Sequence, residues 1–134
     1  MNEHEAREFV AEVKRGVLAT IKRDGRPQLS NVSYLLDDDG RIKISVTRDR
    51  AKTRNLLRDP RASLLVLGQD WYRYVVVEAT TEVQGGPGVA AELRRVYERI
   101  TGQPHPDWAE FDQAMVREGR VILALTIERL YPLA

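Results

Sequence analysis

Two short segments hold the residues best suited to chemistry: Gly25-Arg26-Pro27-Gln28-Leu29-Ser30-Asn31-Val32 and Arg48-Asp49-Arg50-Ala51-Lys52-Thr53-Arg54-Asn55. Alternate residues of an extended strand share a face, so Gln28 and Ser30 stand together beside Val32, where a core strand would continue with apolar side chains. Amide and hydroxyl groups there can read the heteroatom edge of a ring system. Asn31 falls on the opposite face unless a bulge intervenes, which leaves it open between ligand contact and holding a turn. In the second segment Arg48, Arg50, Lys52 and Arg54 crowd the entry of a predicted helix, whose free amides and positive dipole end favour anions. A solvated helix start and a phosphate cradle both fit these cations on spacing alone. A large flat ligand carrying a phosphate would use both segments together.

Other chemistries find less support. The chain has no cysteine, which excludes disulfides, thiolate metal sites and cysteine nucleophiles. His4 and His105 lie far apart in polar surroundings, without zinc ligands of the usual spacing, so no metal site is predicted. No Gly-x-Ser-x-Gly elbow, Walker loop or Gly-x-Gly-x-x-Gly fingerprint occurs, and Gly85-Gly86-Pro87-Gly88 reads as a turn. Glu78 sits in an apolar run beside Tyr74 and Val76, open between a buried acid and an exposed position. Trp71 and Tyr72 stand at a strand entrance, where aromatic rings pack in a core, cover a flat cofactor or bury a subunit contact. Trp108, Phe111 and Met115 recur at helical spacing and read as core.

The elements that must position these residues follow from periodicity. Ala6, Phe9, Val10 and Val13 mark one stripe of a helix over Glu3 to Lys14, ended by Gly16. Val17 to Lys22 and Gln28 to Leu35 flank Asp24-Gly25 as a β-hairpin. In Arg41 to Thr47, Ile42, Ile44 and Val46 share a core face, while Lys43, Ser45 and Thr47 share a wet or ligand-facing one. A helix runs from Ala51 to Arg58, stopped by Asp59-Pro60. Ala62 to Leu67, Tyr74 to Val83 and Val121 to Ile127 complete six strands, with helical stripes at Leu93, Val96, Tyr97 and Ile100 and around Phe111. Hairpin-length links favour an antiparallel barrel, because parallel pairs need crossovers of about a dozen residues.

Size and charge narrow the class further. A chain of 134 residues predicts a single domain, spanning 1–134, and 43% hydrophobic with 31% charged residues is an ordinary globular balance. The formal net charge of +1 argues against a nucleic-acid partner. No apolar run reaches the length of a membrane span and none near the start reads as a signal peptide, so the expectation is a cytoplasmic protein.

Gly16-Val-Leu-Ala-Thr-Ile-Lys22, Asp24-Gly-Arg-Pro-Gln-Leu-Ser-Asn-Val32, Arg50-Ala-Lys-Thr-Arg-Asn55 and Asp59-Pro-Arg-Ala-Ser63 together resemble the actinobacterial flavin/deazaflavin oxidoreductases. These are pyridoxamine 5′-phosphate oxidase-like proteins of the FMN-binding split β-barrel type, and the resemblance is strongest to the probable F420-dependent subgroup. It covers nearly the whole chain, more loosely after Gly88. It implies a mainly β, six-stranded antiparallel split barrel with short helices, a homodimer, and cofactors in grooves between subunits. Carried over, it implies that Arg50, Lys52 and Thr53 hold phosphate, that Gln28, Ser30 and Asn31 face the ring or ribityl portion, and that Ser45 and Val46 line the groove. Trp71 and Arg129 would reach a cofactor held mainly by the partner subunit. The implied activity is hydride transfer from reduced coenzyme F420 to a small electron-poor acceptor such as an enone, quinone, tetrapyrrole or nitroaromatic compound, with no catalytic side chain identified. An FMN-dependent oxidase and a non-catalytic F420 carrier are the alternatives. Two departures stand out: Glu78-Ala79 replaces the family's usual Glu-Gly, and one residue is inserted between Trp71 and Glu78. The chain also stops at Ala134, without the tail of some relatives.

Overall fold

The computed structural model describes residues 1–133. Its elements are α1 (Glu3–Val13), β1 (Arg15–Ile21), β2 (Pro27–Ser33), β3 (Leu35–Leu36), β4 (Ile42–Thr47), α2 (Ala51–Arg58), β5 (Arg61–Leu67), β6 (Tyr74–Gln84), α3 (Val89–Thr101), α4 (Trp108–Glu118) and β7 (Arg120–Tyr131). All strands join one antiparallel sheet in the order β2-β1-β5-β6-β7-β4-β3, which curls into a split barrel.

Seven strands form where six were predicted, because the run from Gln28 to Leu35 breaks at Tyr34. That side chain is fully buried, and its hydroxyl donates to the carbonyl of Val10 at 2.6 Å, while its backbone N–H bonds to Lys14. Burial pushes the phenol pKa well above its ordinary value. Tyr34 therefore turns the chain inward and ties α1 over the end of the barrel.

The capping box of Asn2 and Glu5 starts α1, and Lys14, in the left-handed region at φ 62°, ends it. Gly16 is thus not the helix stop but a residue of β1. Its constraint is steric: a Cβ there would lie 2.6 Å from the Leu65 carbonyl oxygen on β5.

The alternation of β4 divides two cores. Ile42, Ile44 and Val46 join Leu18, Leu64, Val66, Val75, Val77, Leu123 and Leu125 inside the barrel, with Phe9 and Val10 of α1 covering it. On the outer side Leu35 and Ile122 pack beneath Leu93, Val96 and Phe111 of α3 and α4. The central part of β7 is accordingly buried on both faces.

Lys43, predicted to face solvent or ligand, is 3% exposed. Its ammonium lies 2.9 Å from Asp37, 3.2 Å from Asp39 and 3.8 Å from Glu92. Arg95 of α3 donates to Asp37 at 3.0 and 2.5 Å and pairs with Glu92, and Arg99 donates to Asp38. Arg95, followed by Lys43 and the Asp38 amide, holds the Asp37 carboxyl well below the usual carboxylate range. Ion pairs thus fasten α3 to the β3–β4 turn.

Candidate functional site

Directly after β4, the cations of the second segment separate. Arg48 turns aside to pack on Gly85, where a Cβ would approach its guanidinium to 2.7 Å. Arg50 occupies the N-cap of α2 in extended geometry, where its donor-only side chain makes no capping bond. Lys52, half-buried, has a lowered pKa, first through burial and then through the nearby charges of Arg50 and Arg120. Like charges brought together in this way make a positive field that an anion relieves, even with Arg120 also paired to Glu118 at 3.0 Å, and this is the observation by which the site fits a phosphate.

Arg120 was missed in the sequence because its position depends on pairing: Thr47 lies opposite Arg120 across β4 and β7. It donates to the Ser45 carbonyl at 3.4 Å and bonds to Glu118 at 3.0 Å. A single arginine opening a strand after Gly119 carries no sequence signal of its own.

Beside this cluster lies a cavity of about 520 Å³. One wall is polar strand, with Asn31, Ser33, Ser45 and Arg120; the other is the α3–α4 hairpin, with Val96, Tyr97, Ile100, Phe111 and Met115. Pairing of β1 with β2 is regular, so no bulge intervenes and Asn31 points away from Gln28 and Ser30, into this cavity with Ser45.

The remaining predicted residues go elsewhere. Gln28 accepts a hydrogen bond from Asn55 at 3.2 Å, and Asn55 also donates to Thr20 at 3.1 Å, so this amide helps to fasten α2 to the β1–β2 hairpin. It borders a separate cationic hollow with Lys22, Arg23, Arg54 and Arg58. Ser30 lies opposite Leu18, half-buried on the inward face. Val46 is 2% exposed inside the barrel core, so only its backbone can border a groove. Thr53 has no exposed surface, and its hydroxyl donates to the Thr47 carbonyl at 2.8 Å, so it braces the start of α2 instead of offering that hydroxyl to phosphate. Alternation and helix phase, not residue type, decide both cases.

Trp71, 72% exposed, belongs to the β5–β6 loop, and Arg129 lies opposite Glu78 on the outer side of the sheet. Neither joins the cavity within one chain. Glu78 is half-buried, and the register of β6 and β7 shifts between Glu78 and Ala79. Among the described residues no group of three or more His, Cys, Asp and Glu side chains is arranged to hold a metal, and no helix is long and apolar enough to cross a membrane.

The curled antiparallel sheet, with α3 and α4 packed on its outer side, defines the split-barrel class of fold. The family model described as pyridoxamine 5′-phosphate oxidase matches residues 3–134, and the chain belongs to that family. A conserved hypothetical protein of Mycobacterium tuberculosis is similar in structure, with 33% identity, a TM-score of 0.79, and coverage of 97% of this chain and 82% of that one. An F420 reductase is similar at 26% identity and a TM-score of 0.69, covering 92% and 94%. A heme binding protein from Mycobacterium smegmatis shares the fold, with 24% identity and a TM-score of 0.71, over 94% of this chain and 51% of that one.

Proposed function

We propose that this protein is a coenzyme F420-dependent oxidoreductase that passes a hydride from the reduced deazaflavin to a small electron-poor organic acceptor. The observation that carries the reading is the crowding of Arg50, Lys52 and Arg120 beside a cavity with one polar strand wall and one apolar helical wall. A phosphate-bearing, planar cofactor matches that division, and the similarity to an F420 reductase supports the deazaflavin. Arg50, Lys52 and Arg120 would hold the phosphate, Asn31 and Ser45 would meet the polar edge of the ring, and the α3–α4 hairpin would exclude water. When bound, the deazaflavin supplies the hydride. The protein's part is binding, orientation and desolvation, and no side-chain acid is required for the transfer itself.

FMN is the second reading, favoured by the family match. Titration with coenzyme F420 and with FMN separates the two: tight F420 binding with acceptor-dependent oxidation of the reduced form is the expected result. A yellow protein that binds FMN and ignores F420 would overturn the deazaflavin reading, and F420 binding without turnover would make the protein a carrier.

The active unit in this proposal is a homodimer. Across the outer side of the sheet run the rows Asn31-Val17-Leu65-Val76-Tyr131 and Leu29-Ala19-Ser63-Glu78-Arg129. Leu29 is 65% exposed there, and Tyr131 36%. A sheet face that begins at Asn31, on the edge of the cavity, and carries Val17, Leu65, Val76, Tyr131 and the exposed Leu29 beside the polar Ser63, Glu78 and Arg129 suits a second copy packing beside the cofactor. Arg129 lies on that same face, where it can serve the partner's groove.

A further inference from the structure

A second cavity, of about 290 Å³, opens between the start of α3 and the end of α4 and shares Leu93, Met115 and Arg120 with the larger one. Val89, Ala90 and Val116 extend its apolar lining, and Gly86 and Gly119 border it. Its charged side chains are Arg48, Asp112 and Arg120, and two of them are already answered. Arg94 donates to Asp112 from Nε at 2.9 Å while standing over the Trp108 ring, and Arg120 pairs with Glu118 at 3.0 Å. Arg48 is not answered. Its backbone N–H donates to the Gly119 carbonyl at 2.9 Å, but its side chain makes no hydrogen bond or ion pair among the described residues. The guanidinium is laid against Gly85, which does not lie in the left-handed region, so the missing side chain there serves to seat Arg48 and not to relieve the backbone. Arg48 is exposed and Leu93 buried, which puts one open positive charge at the mouth of the cavity and the apolar lining within.

We propose that this smaller cavity binds an organic monocarboxylate with a short apolar body, its carboxylate on Arg48 and its hydrocarbon against Leu93 and Met115. A planar guanidinium matches a carboxylate through paired N–H···O bonds. The charge also selects a monoanion, because a phosphate monoester carries close to two negative charges at neutral pH and would exceed the one that is open. At about 30 Å³ per heavy atom, the share of one water in the liquid, the cavity takes about ten such atoms, which is the size of octanoate. The hydrocarbon supplies the affinity and the carboxylate the selectivity. Neither Arg50 nor Lys52 lines this cavity, so the site is separate from the proposed phosphate cradle and does not rest on the cofactor reading.

The test needs no cofactor. Isotope-labelled protein is titrated with octanoate, octanol and acetate at constant ionic strength, and the backbone amide resonances are followed by NMR. Octanoate is expected to shift the amides of Gly86, Ala90 and Val116 saturably, with octanol about fivefold weaker and acetate without effect. Arg48→Gln, which keeps the length and removes the charge, weakens octanoate about fivefold and leaves octanol unchanged. Gly85→Ala dislodges Arg48 and weakens octanoate likewise, and combining the two substitutions costs nothing further, because both act on one contact. Lys52→Ala leaves octanoate affinity unaltered. Equal affinity for octanoate and octanol, or shifts confined to Asn31 and Ser33 of the larger cavity, would overturn the proposal. Loss of octanoate binding in Lys52→Ala would do the same, by moving the anion to the phosphate cradle. Should Gly85→Ala fail to fold, Arg48→Gln and the octanoate–octanol comparison decide alone.

Discussion

Lys52 concentrates the electrostatics of the site. Burial and the charges of Arg50 and Arg120 lower its pKa, so in the free protein it loses its proton earlier than an ordinary lysine. A bound phosphate reverses the balance and raises that pKa. Cofactor affinity should therefore be constant below the free-protein value, fall as the pH rises through it, and level off above the bound-state value. Lys52→Ala should weaken cofactor binding by about 1.5–3 kcal/mol at neutral pH and flatten this alkaline fall, both measurable by fluorescence titration. Asp37 works in the opposite sense. Its pKa is depressed by Arg95 and Lys43, so its contribution to stability is complete above the ordinary carboxylate pKa and disappears as the pH falls through the folded-state value. Asp37→Asn strands the buried Lys43 with only Asp39 and Glu92 and should cost about 2–3 kcal/mol near neutrality in urea unfolding. The gap between variant and wild type should narrow steadily in acid.

The elements were legible where local pattern decides them. Ala51–Arg58 forms the helix its cations and the following Asp59-Pro60 imply, and Ile42, Ile44 and Val46 face the core as alternation requires. Pairing across the sheet was not legible, and it accounts for what the residues alone mislead on. Arg120 joins the cations only because β4 and β7 are neighbours in the sheet. Lys43 is buried because α3 arrives carrying Arg95 and Glu92, which no alternation can announce. Thr53 shares the cationic segment with Lys52, but the turn of α2 carries it inward. Gly16 reads as a helix stop and proves to be a contact between strands. Gly16→Ala should push β1 away from the Leu65 carbonyl and destabilise the fold by about 1–3 kcal/mol, seen as a lowered denaturation midpoint. An unchanged midpoint would show that β5 yields at no cost.

At the scale of the molecule, the proposed homodimer is tested on the outer sheet face. Leu29→Lys should convert a dimer into monomers in sedimentation velocity while leaving the circular dichroism spectrum intact, because Leu29 contributes little to the fold of its own chain. Strand order has a different consequence. Asn31 and Ser45 lie on β2 and β4, the first and sixth strands of a seven-stranded sheet, and they meet only because the sheet curls. The strand wall they share lies in the first half of the chain and the facing α3–α4 hairpin in the second, so neither half contains the whole cavity. A cofactor held between them would bind only the completely closed sheet, so its binding energy should slow hydrogen exchange at the most protected amides of every strand and not merely at the groove. At a hundredfold excess over its dissociation constant that protection amounts to about 2.7 kcal/mol throughout the barrel. Supply of the cofactor would then set how long the whole chain survives proteolysis.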